Sequence, residues 1–210
     1  VLASGCQKKQ NLVESNFTFA DSQLRYALQE TETVREKVEG KLCNPRTLDS
    51  KGNLKLVAPG DWTSGFFPGE LWYMYEYTGN EFWKQKAEEY TEVLEGQKNN
   101  GRTHDMGFKM YCSYGNGLRI APNEEYREVL MTSARTLATR FREKTGCLRS
   151  WDHSRDKWAY PVIIDNMMNL ELLFWAFRES GDSLFYNIAV SHALTTMKNH
   201  FREDYSSYHV

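Results

Sequence analysis

Three segments of the chain are apolar almost all round, and each follows an aspartate. The aspartates are Asp61, Asp105 and Asp165. Glycines follow the same segments, at Gly79, at Gly115 or Gly117, and at Gly181. A helix that is apolar on every side has to be covered by other helices, and glycine is the usual residue just past a helix end. The pattern therefore predicts three buried helices, each ended by a glycine.

A more polar segment follows each buried one. Its apolar residues return at intervals of three and four, which is typical of a helix with one buried face. These segments span 81–97, 123–141 and 182–201, and a first helix is predicted over 19–38. The chain therefore predicts a repeated hairpin of one buried and one amphipathic helix. Hairpins stacked side by side cover the buried helices, and a curved stack closes into a ring.

The buried helices all start at the same end of such a ring, so their three aspartates are expected to meet at one opening. A surface loop predicted over 44–60 delivers Trp62 to this opening, and a second loop over 145–161 brings Trp151 to it. The alternative is that each aspartate only caps its helix, by accepting the free backbone N–H groups of the first turn.

The composition is that of one ordinary globular domain. The chain has 210 residues, a formal net charge of −2 and 26% charged residues, so it lacks the basic surplus of a nucleic-acid-binding protein. Aromatic residues make up 14% of the chain, which suits either stacking on sugars or core packing. No stretch is long and apolar enough to span a membrane.

The first residues, Val-Leu-Ala-Ser-Gly-Cys, end at Cys6 and resemble the end of a bacterial lipoprotein signal. In such signals the cysteine is lipidated after cleavage. Residues 1–16 are therefore predicted to be a lipoprotein-like N-terminus and tether, and the expected location is the bacterial periplasm or outer membrane. The lipid anchor would be the membrane contact. The alternative is a chain that begins at an arbitrary point.

Paired carboxylates are the chemistry that this arrangement favours. Two aspartates on neighbouring buried helices, in a pocket walled by aromatic rings, cannot both ionise cheaply, so one of them keeps its proton to higher pH. An acid beside a base is the usual equipment for cleaving a glycosidic bond. A metal site built on His104, Asp105 and His209 is the weaker alternative, because the sequence has no helical His-x-x-x-His pair. We predict neither a metal nor a cofactor.

Four stretches occur in order: Asp61-Trp-Thr-Ser-Gly-Phe-Phe-Pro-Gly, Thr103-His-Asp-Met-Gly-Phe, Ile164-Asp-Asn-Met-Met-Asn and Ser206-Ser-Tyr-His. Together they resemble the unsaturated glucuronyl hydrolases, glycoside hydrolase family 88, from about Phe19 to the last residue. The resemblance implies an all-α fold, the (α/α)6 barrel, in an enzyme that needs no metal. Family members continue beyond the fourth stretch, so residues 17–210 are expected to form only the N-terminal half of the barrel.

The resemblance implies removal of the unsaturated uronic acid that polysaccharide lyases leave at the non-reducing end of oligosaccharides from glycosaminoglycans or pectin. It makes Asp165 the acid that protonates C4 of the C4=C5 double bond and then the base that activates water for C5. Asp105 matches the second carboxylate of the family. The residues that match substrate-binding positions are Trp62, His104, Trp151 and His209.

Two other functions stay open. One is an unsaturated rhamnogalacturonyl hydrolase, which has the same fold and chemistry. The other is a non-catalytic helical scaffold that binds carbohydrate and keeps its aspartates for capping. Half a ring would also expose an apolar flank and bind substrate poorly, unless a partner completes it. The basic residues Lys109 and Arg119 either read sulfate on the sugar or are solvated charges on a helix face.

Overall fold

The computed structural model describes residues 2–38 and 41–210, with side chains described from residue 12 onward. The helices are α1 (Leu2–Lys37), α2 (Phe66–Thr78), α3 (Glu81–Glu92), α4 (Asn116–Ile120), α5 (Glu124–Ala138), α6 (Asn166–Ser180) and α7 (Ser183–His200). A 3₁₀ turn spans Glu95–Asn99 and a π-helix spans Gly107–Gly115. Two antiparallel hairpins pair β1 (Asn44–Leu48) with β2 (Leu54–Val57), and β3 (Phe141–Arg142) with β4 (Cys147–Leu148).

The predicted helix hairpins are present. α2 packs on α3, α6 packs on α7, and the π-helix with α4 packs on α5. The second helix of each hairpin begins at a polar residue whose side chain accepts a backbone N–H of the first turn, at Asn80, Asn123 and Asp182. One continuous core joins the hairpins and includes the fully buried residues Trp72, Trp83, Leu130 and Leu172.

Two of the predicted helix ends are confirmed and one is wrong. Gly79 and Gly181 adopt left-handed backbone conformations, with φ of 63° and 72°, and end α2 and α6. The second buried segment instead continues in helical geometry through both Gly115 and Gly117 to the end of α4. Gly117 serves packing here, because a Cβ at this position would lie 2.7 Å from the Tyr126 ring.

The predicted loop over 44–60 is wrong, because this segment contains the β1–β2 hairpin. Its turn is held by the Asp49 side chain, which accepts hydrogen bonds from the backbone N–H groups of Lys51 (2.8 Å) and Asn53 (2.9 Å). Most of its side chains are exposed, so the hydrophobic signal of a strand is weak. The first helix also begins earlier than predicted, at the start of α1. The predicted lipidation residue, Cys6, lies outside the residues whose side chains the structure describes.

An amide side chain joins the π-helix to α6. The Oδ1 atom of Asn169 accepts hydrogen bonds from the backbone N–H groups of Gly107 (2.8 Å) and Phe108 (3.2 Å). The two backbones also lie very close, since a Cβ on Gly107 would be 2.6 Å from the Asn169 Cα atom. The segments that carry Asp105 and Asp165 are therefore fixed against each other.

Candidate active site

A buried histidine lies between two aspartates at the start of the inner helices. The Nε2 atom of His104 is 3.1 Å from Asp105 Oδ1 and 3.8 Å from Asp165 Oδ1. His104 is only 3% exposed, and its backbone N–H donates to the Ser150 carbonyl at 3.3 Å. The structure therefore places the predicted substrate-binding residue His104 between the two predicted catalytic residues, Asp105 and Asp165.

Asp105 is the more anchored of the two carboxylates. Its Oδ2 atom accepts a hydrogen bond from the Thr103 hydroxyl, and its side chain is 19% exposed. Burial alone would raise the pKa of Asp105, but the hydrogen bond and charge of His104 oppose that effect. Thr103 and the positive charge of Lys109 add to them, so the pKa lies below its usual range and Asp105 is ionised.

Asp165 has the opposite character. Its side chain is 41% exposed, yet its Oδ1 atom is buried and accepts no hydrogen bond from the described residues. Burial raises the pKa of Asp165 above its usual range, and the negative charge of Asp105 raises it further. The imidazoles of His104 and His209 lower this pKa, but they do not cancel the rise. One carboxylate that keeps its proton thus lies beside one that loses it easily.

Neither carboxylate caps its helix. Asp165 stands at the N-cap position of α6 but makes no side-chain capping hydrogen bond. The π-helix likewise has no side-chain cap at Met106, and its first N–H groups bind Asn169. Asp61 is different, because its Oδ1 atom accepts the Thr63 backbone N–H at 2.9 Å and its Oδ2 atom lies 3.4 Å from Arg46. Asp61 therefore stabilises the turn before α2, whose N-cap residue is Gly65 and has no side-chain cap. The capping interpretation is wrong for all three aspartates.

An aromatic cluster lies beside the π-helix. The rings of Trp62, Phe66 and Phe108 meet edge to face, with centroids 5.7 to 6.0 Å apart. Trp62 is 44% exposed, so part of its indole is free to stack on a sugar. The predicted stacking residue Trp62 therefore lies in this cluster, beside the π-helix.

The predicted binding residue Trp151 lies in the loop directly after Ser150, whose carbonyl holds the His104 backbone. Its ring stacks on His153, with centroids 5.3 Å apart. The buried Arg140 side chain fixes this loop, because its Nε atom donates to the Arg149 carbonyl at 2.6 Å and its Nη1 atom donates to Asp152 Oδ2 at 3.0 Å. The loop thus contacts the site through the Ser150 carbonyl.

Tyr160 of the same loop has a structural role, and His209, near the end of the chain, lies beside Asp165. In the same loop, the Tyr160 hydroxyl lies within hydrogen-bonding distance of the carbonyls of Arg140 (2.7 Å) and Cys147 (2.8 Å) and holds the loop in place. His209 is exposed, and its carbonyl accepts the Ile164 N–H at 3.0 Å, next to Asp165. Its imidazole acts electrostatically on Asp165.

Sequence reasoning missed the roles of Thr103 and Asn169 and misassigned Lys109. Thr103 binds Asp105, Asn169 binds the start of the π-helix, and Lys109 is completely buried and not a solvated charge. The signal for Asn169 was present, because an amide within an apolar helix needs hydrogen-bond partners. In the described part of the chain, no group of three or more His, Cys, Asp and Glu side chains could hold a metal ion.

Two curated relatives share the sequence of this region. The chain is 58% identical over 168 residues to an unsaturated glucuronyl hydrolase of Formosa agariphila, and the match covers 79% of the chain and 42% of that relative. It is 37% identical over 154 residues to an unsaturated chondroitin disaccharide hydrolase of Streptococcus pneumoniae, with 71% and 38% covered. The chain therefore spans about two fifths of the length of these relatives. No protein-family model matches the chain.

Solved structures share the fold. A crystal structure of an unsaturated glucuronyl hydrolase specific for heparin has a TM-score of 0.80 and 42% identity, and the match covers 91% of the chain and 51% of that structure. A second, from Streptococcus agalactiae, has a TM-score of 0.75 and 28% identity, with 92% and 49% covered. The likeness confirms the predicted fold class, so the helix hairpins are about half of an (α/α)6 barrel. Along the described residues, no helix has the length and apolar character that a membrane crossing requires.

Proposed function

Since the chain belongs to the unsaturated glucuronyl hydrolase family, we propose that it is a glycoside hydrolase that removes an unsaturated uronic acid from the non-reducing end of oligosaccharides. The observation that carries this proposal is the shared imidazole. His104 Nε2 lies 3.1 Å from one carboxylate and 3.8 Å from the other, which gives the site an acid, a base and a group that links them.

The reaction is hydration of a vinyl ether. The protonated Asp165 gives its proton to C4 of the C4=C5 double bond, and positive charge develops at C5, where the ring oxygen shares it. The Asp165 carboxylate then takes a proton from a water molecule as the water oxygen bonds to C5. The hemiketal that forms opens, the glycosidic link is lost, and Asp165 is protonated again.

The assignment of the two carboxylates follows from their surroundings. Asp165 has the raised pKa and the more exposed side chain, so it both holds a proton and reaches a substrate. Asp105 has the lowered pKa and is held by Thr103, which makes it a fixed negative charge. That charge stabilises the cationic centre at C5 and favours the protonated form of Asp165.

Trp62, Trp151 and His209 are proposed to bind the sugar, together with His104. The exposed indole of Trp62 offers an apolar face, and the stacked pair of Trp151 and His153 offers another. His209 lies near Asp165 and offers a polar contact to the substrate or to the attacking water.

We propose glycosaminoglycan fragments as the substrate class. The relatives include an unsaturated chondroitin disaccharide hydrolase and an unsaturated glucuronyl hydrolase specific for heparin. An unsaturated rhamnogalacturonyl hydrolase is the second candidate within this chemistry. It would prefer pectin fragments.

The test is turnover of unsaturated disaccharides prepared by lyase digestion of chondroitin, heparin and pectin. Loss of the ultraviolet absorbance of the conjugated double bond reports hydration, with the Formosa agariphila relative as a positive control. Because half a ring is expected to bind substrate poorly, the assay uses the protein with its barrel completed. We expect loss with glycosaminoglycan disaccharides and none with the Asp165→Asn variant. If the completed protein leaves every disaccharide intact while the control consumes it, the proposed activity is wrong. Faster loss with pectin fragments would favour the rhamnogalacturonyl alternative.

We further propose that Cys6 is lipidated and anchors the protein at the periplasmic side of a bacterial membrane. The small-residue run before Cys6 and the bacterial origin of the relatives support this. Mass spectrometry of the protein from its own cells should find a lipid on Cys6 and the protein in the membrane fraction. An unmodified Cys6 with the protein in a soluble fraction would refute the anchor.

A further inference from the structure

Lys109 is a cation buried directly behind the site. It lies one turn after Asp105 on the π-helix, and its backbone N–H donates to the Asp105 carbonyl at 3.0 Å. The side chain is 0% exposed, and its Nζ atom donates no hydrogen bond to any described residue. A buried ammonium without a hydrogen-bonded partner is costly, so a chain that only needed packing here would do better with an apolar side chain.

The turn before α2 packs closely against the backbone of Lys109. A Cβ on Gly65 would lie 2.3 Å from the carbonyl oxygens of both Phe108 and Lys109. Gly65 therefore packs its bare backbone against the π-helix, and this close approach leaves no room for a side chain. The Lys109 side chain is itself completely buried, so its Nζ atom is not presented at the surface, where a sulfate group would be bound.

Two carboxylates face Lys109 from the two segments that enclose it. Asp105 belongs to its own segment, and Asp61 belongs to the turn before α2. Burial lowers the pKa of Lys109 to about 8, and the two carboxylates oppose this fall. The ammonium thus stays mostly charged at neutral pH. In return, its charge is one of the influences that hold the pKa of Asp105 low.

The proposed substrate adds a further negative charge. A uronic acid brings its own carboxylate to a site that already holds Asp105 and Asp165, and like charges in a buried site favour uptake of a proton. The groups that face Asp105 are His104, Thr103, Lys109 and, through His104, Asp165. His104 and Lys109 are the two basic residues among them. His104 is proposed to contact the substrate, whereas the Lys109 side chain is completely buried.

We propose that Lys109 is a positioning residue, whose buried positive charge keeps Asp105 ionised so that the site accepts an anionic sugar with Asp165 as its only proton donor. The inference rests on the proposed function for its account of the sugar. Its statement about Asp105 rests on the burial of Lys109, on the backbone hydrogen bond that holds Lys109 one turn from Asp105, and on the effect of its charge on that carboxylate.

The test replaces the charge with an apolar side chain of similar length. In the Lys109→Met variant, carboxyl carbon NMR should show the titration midpoint of Asp105 about one pH unit higher than in the wild type, the scale expected for removing one nearby opposite charge. The acid limb of the pH profile of kcat/KM should move in the same direction. The matched control is Lys84→Met, which removes a partly exposed lysine of α3 that lies 3.9 Å from Glu81. It should leave the titration of Asp105 unchanged.

The wild-type chain provides a second measurement that needs no folded variant. As Lys109 loses its proton near pH 8, the carboxyl resonance of Asp105 should show a second small step. An unchanged Asp105 midpoint in Lys109→Met, or no step in the wild type, would overturn the role of Lys109 even if the chain turns over substrate. A shifted midpoint in a chain that hydrates no unsaturated disaccharide would instead refute the proposed function and leave the role of Lys109 in ionising Asp105 intact.

Discussion

The hydrogen bonds of Asn169 provide a sharp test of how the site is held together. Its Oδ1 atom accepts the backbone N–H groups of Gly107 at 2.8 Å and Phe108 at 3.2 Å, and the residue is fully buried. The Asn169→Leu substitution keeps a similar volume but removes the acceptor. Each buried N–H group left without a partner costs about 1–3 kcal/mol. With two such groups, we expect a loss of about 2–6 kcal/mol in the free energy of unfolding.

The matched control is Asn199→Leu, on the exposed face of α7, where the Asn side chain only donates to the Thr195 carbonyl of its own helix. Both variants change helix propensity equally, so their difference isolates the buried acceptor. Urea unfolding followed by circular dichroism should show a midpoint lower by roughly 1–2 M for Asn169→Leu and nearly unchanged for Asn199→Leu. Equal midpoints for the two variants would refute the view that Asn169 fixes the π-helix to α6.

Two further predictions concern pH and close packing. Burial, with the charges of His104 and His200, lowers the pKa of His192 from 6.5 to about 4. Between pH 6.5 and pH 4 the unfolded chain therefore binds a proton at His192 that the folded chain does not. Urea unfolding should show that the free energy of unfolding falls by up to about 3 kcal/mol as pH falls from 6.5 to 4. An equally steep fall in the His192→Gln variant would contradict this. Gly117→Ala should lower the melting temperature, because its Cβ would lie 2.7 Å from the Tyr126 ring and overpacking costs about 1–3 kcal/mol. The control Gly96→Ala, which has open space around it, should leave the melting temperature unchanged. Equal melting temperatures for the two variants would rule out the contact between residue 117 and Tyr126.

Much of the fold could be predicted from the sequence, because helix periodicity and glycine ends are local signals. The hairpins were found in this way, and so were the ends at Gly79 and Gly181. The π-helix was missed because its hydrophobic pattern resembles that of an α-helix. Gly117 was misassigned because a glycine needed for contact with Tyr126, nine residues later, looks in sequence like a glycine that ends a helix.

The site was predictable only in part, for a similar reason. His104, Asp105 and Asp165 stand at the starts of apolar segments, and this position identified them as candidate site residues in the sequence. Residues that act across the fold gave weaker signals. Arg140 holds the loop of Trp151. Lys109 is buried in a π-helix whose backbone packs against the distant Gly65. Neither role follows from the neighbours in sequence.

The most direct test compares turnover and thermal unfolding in Asp105→Asn and Asp165→Asn. Neither side chain caps a helix, so both melting temperatures should stay within about 2 °C of the wild type. Turnover of the unsaturated disaccharide should fall at least a hundredfold, which is roughly the contribution of acid–base catalysis. Melting temperatures about 4 °C lower, with turnover retained, would mean that these carboxylates serve the architecture and not the chemistry.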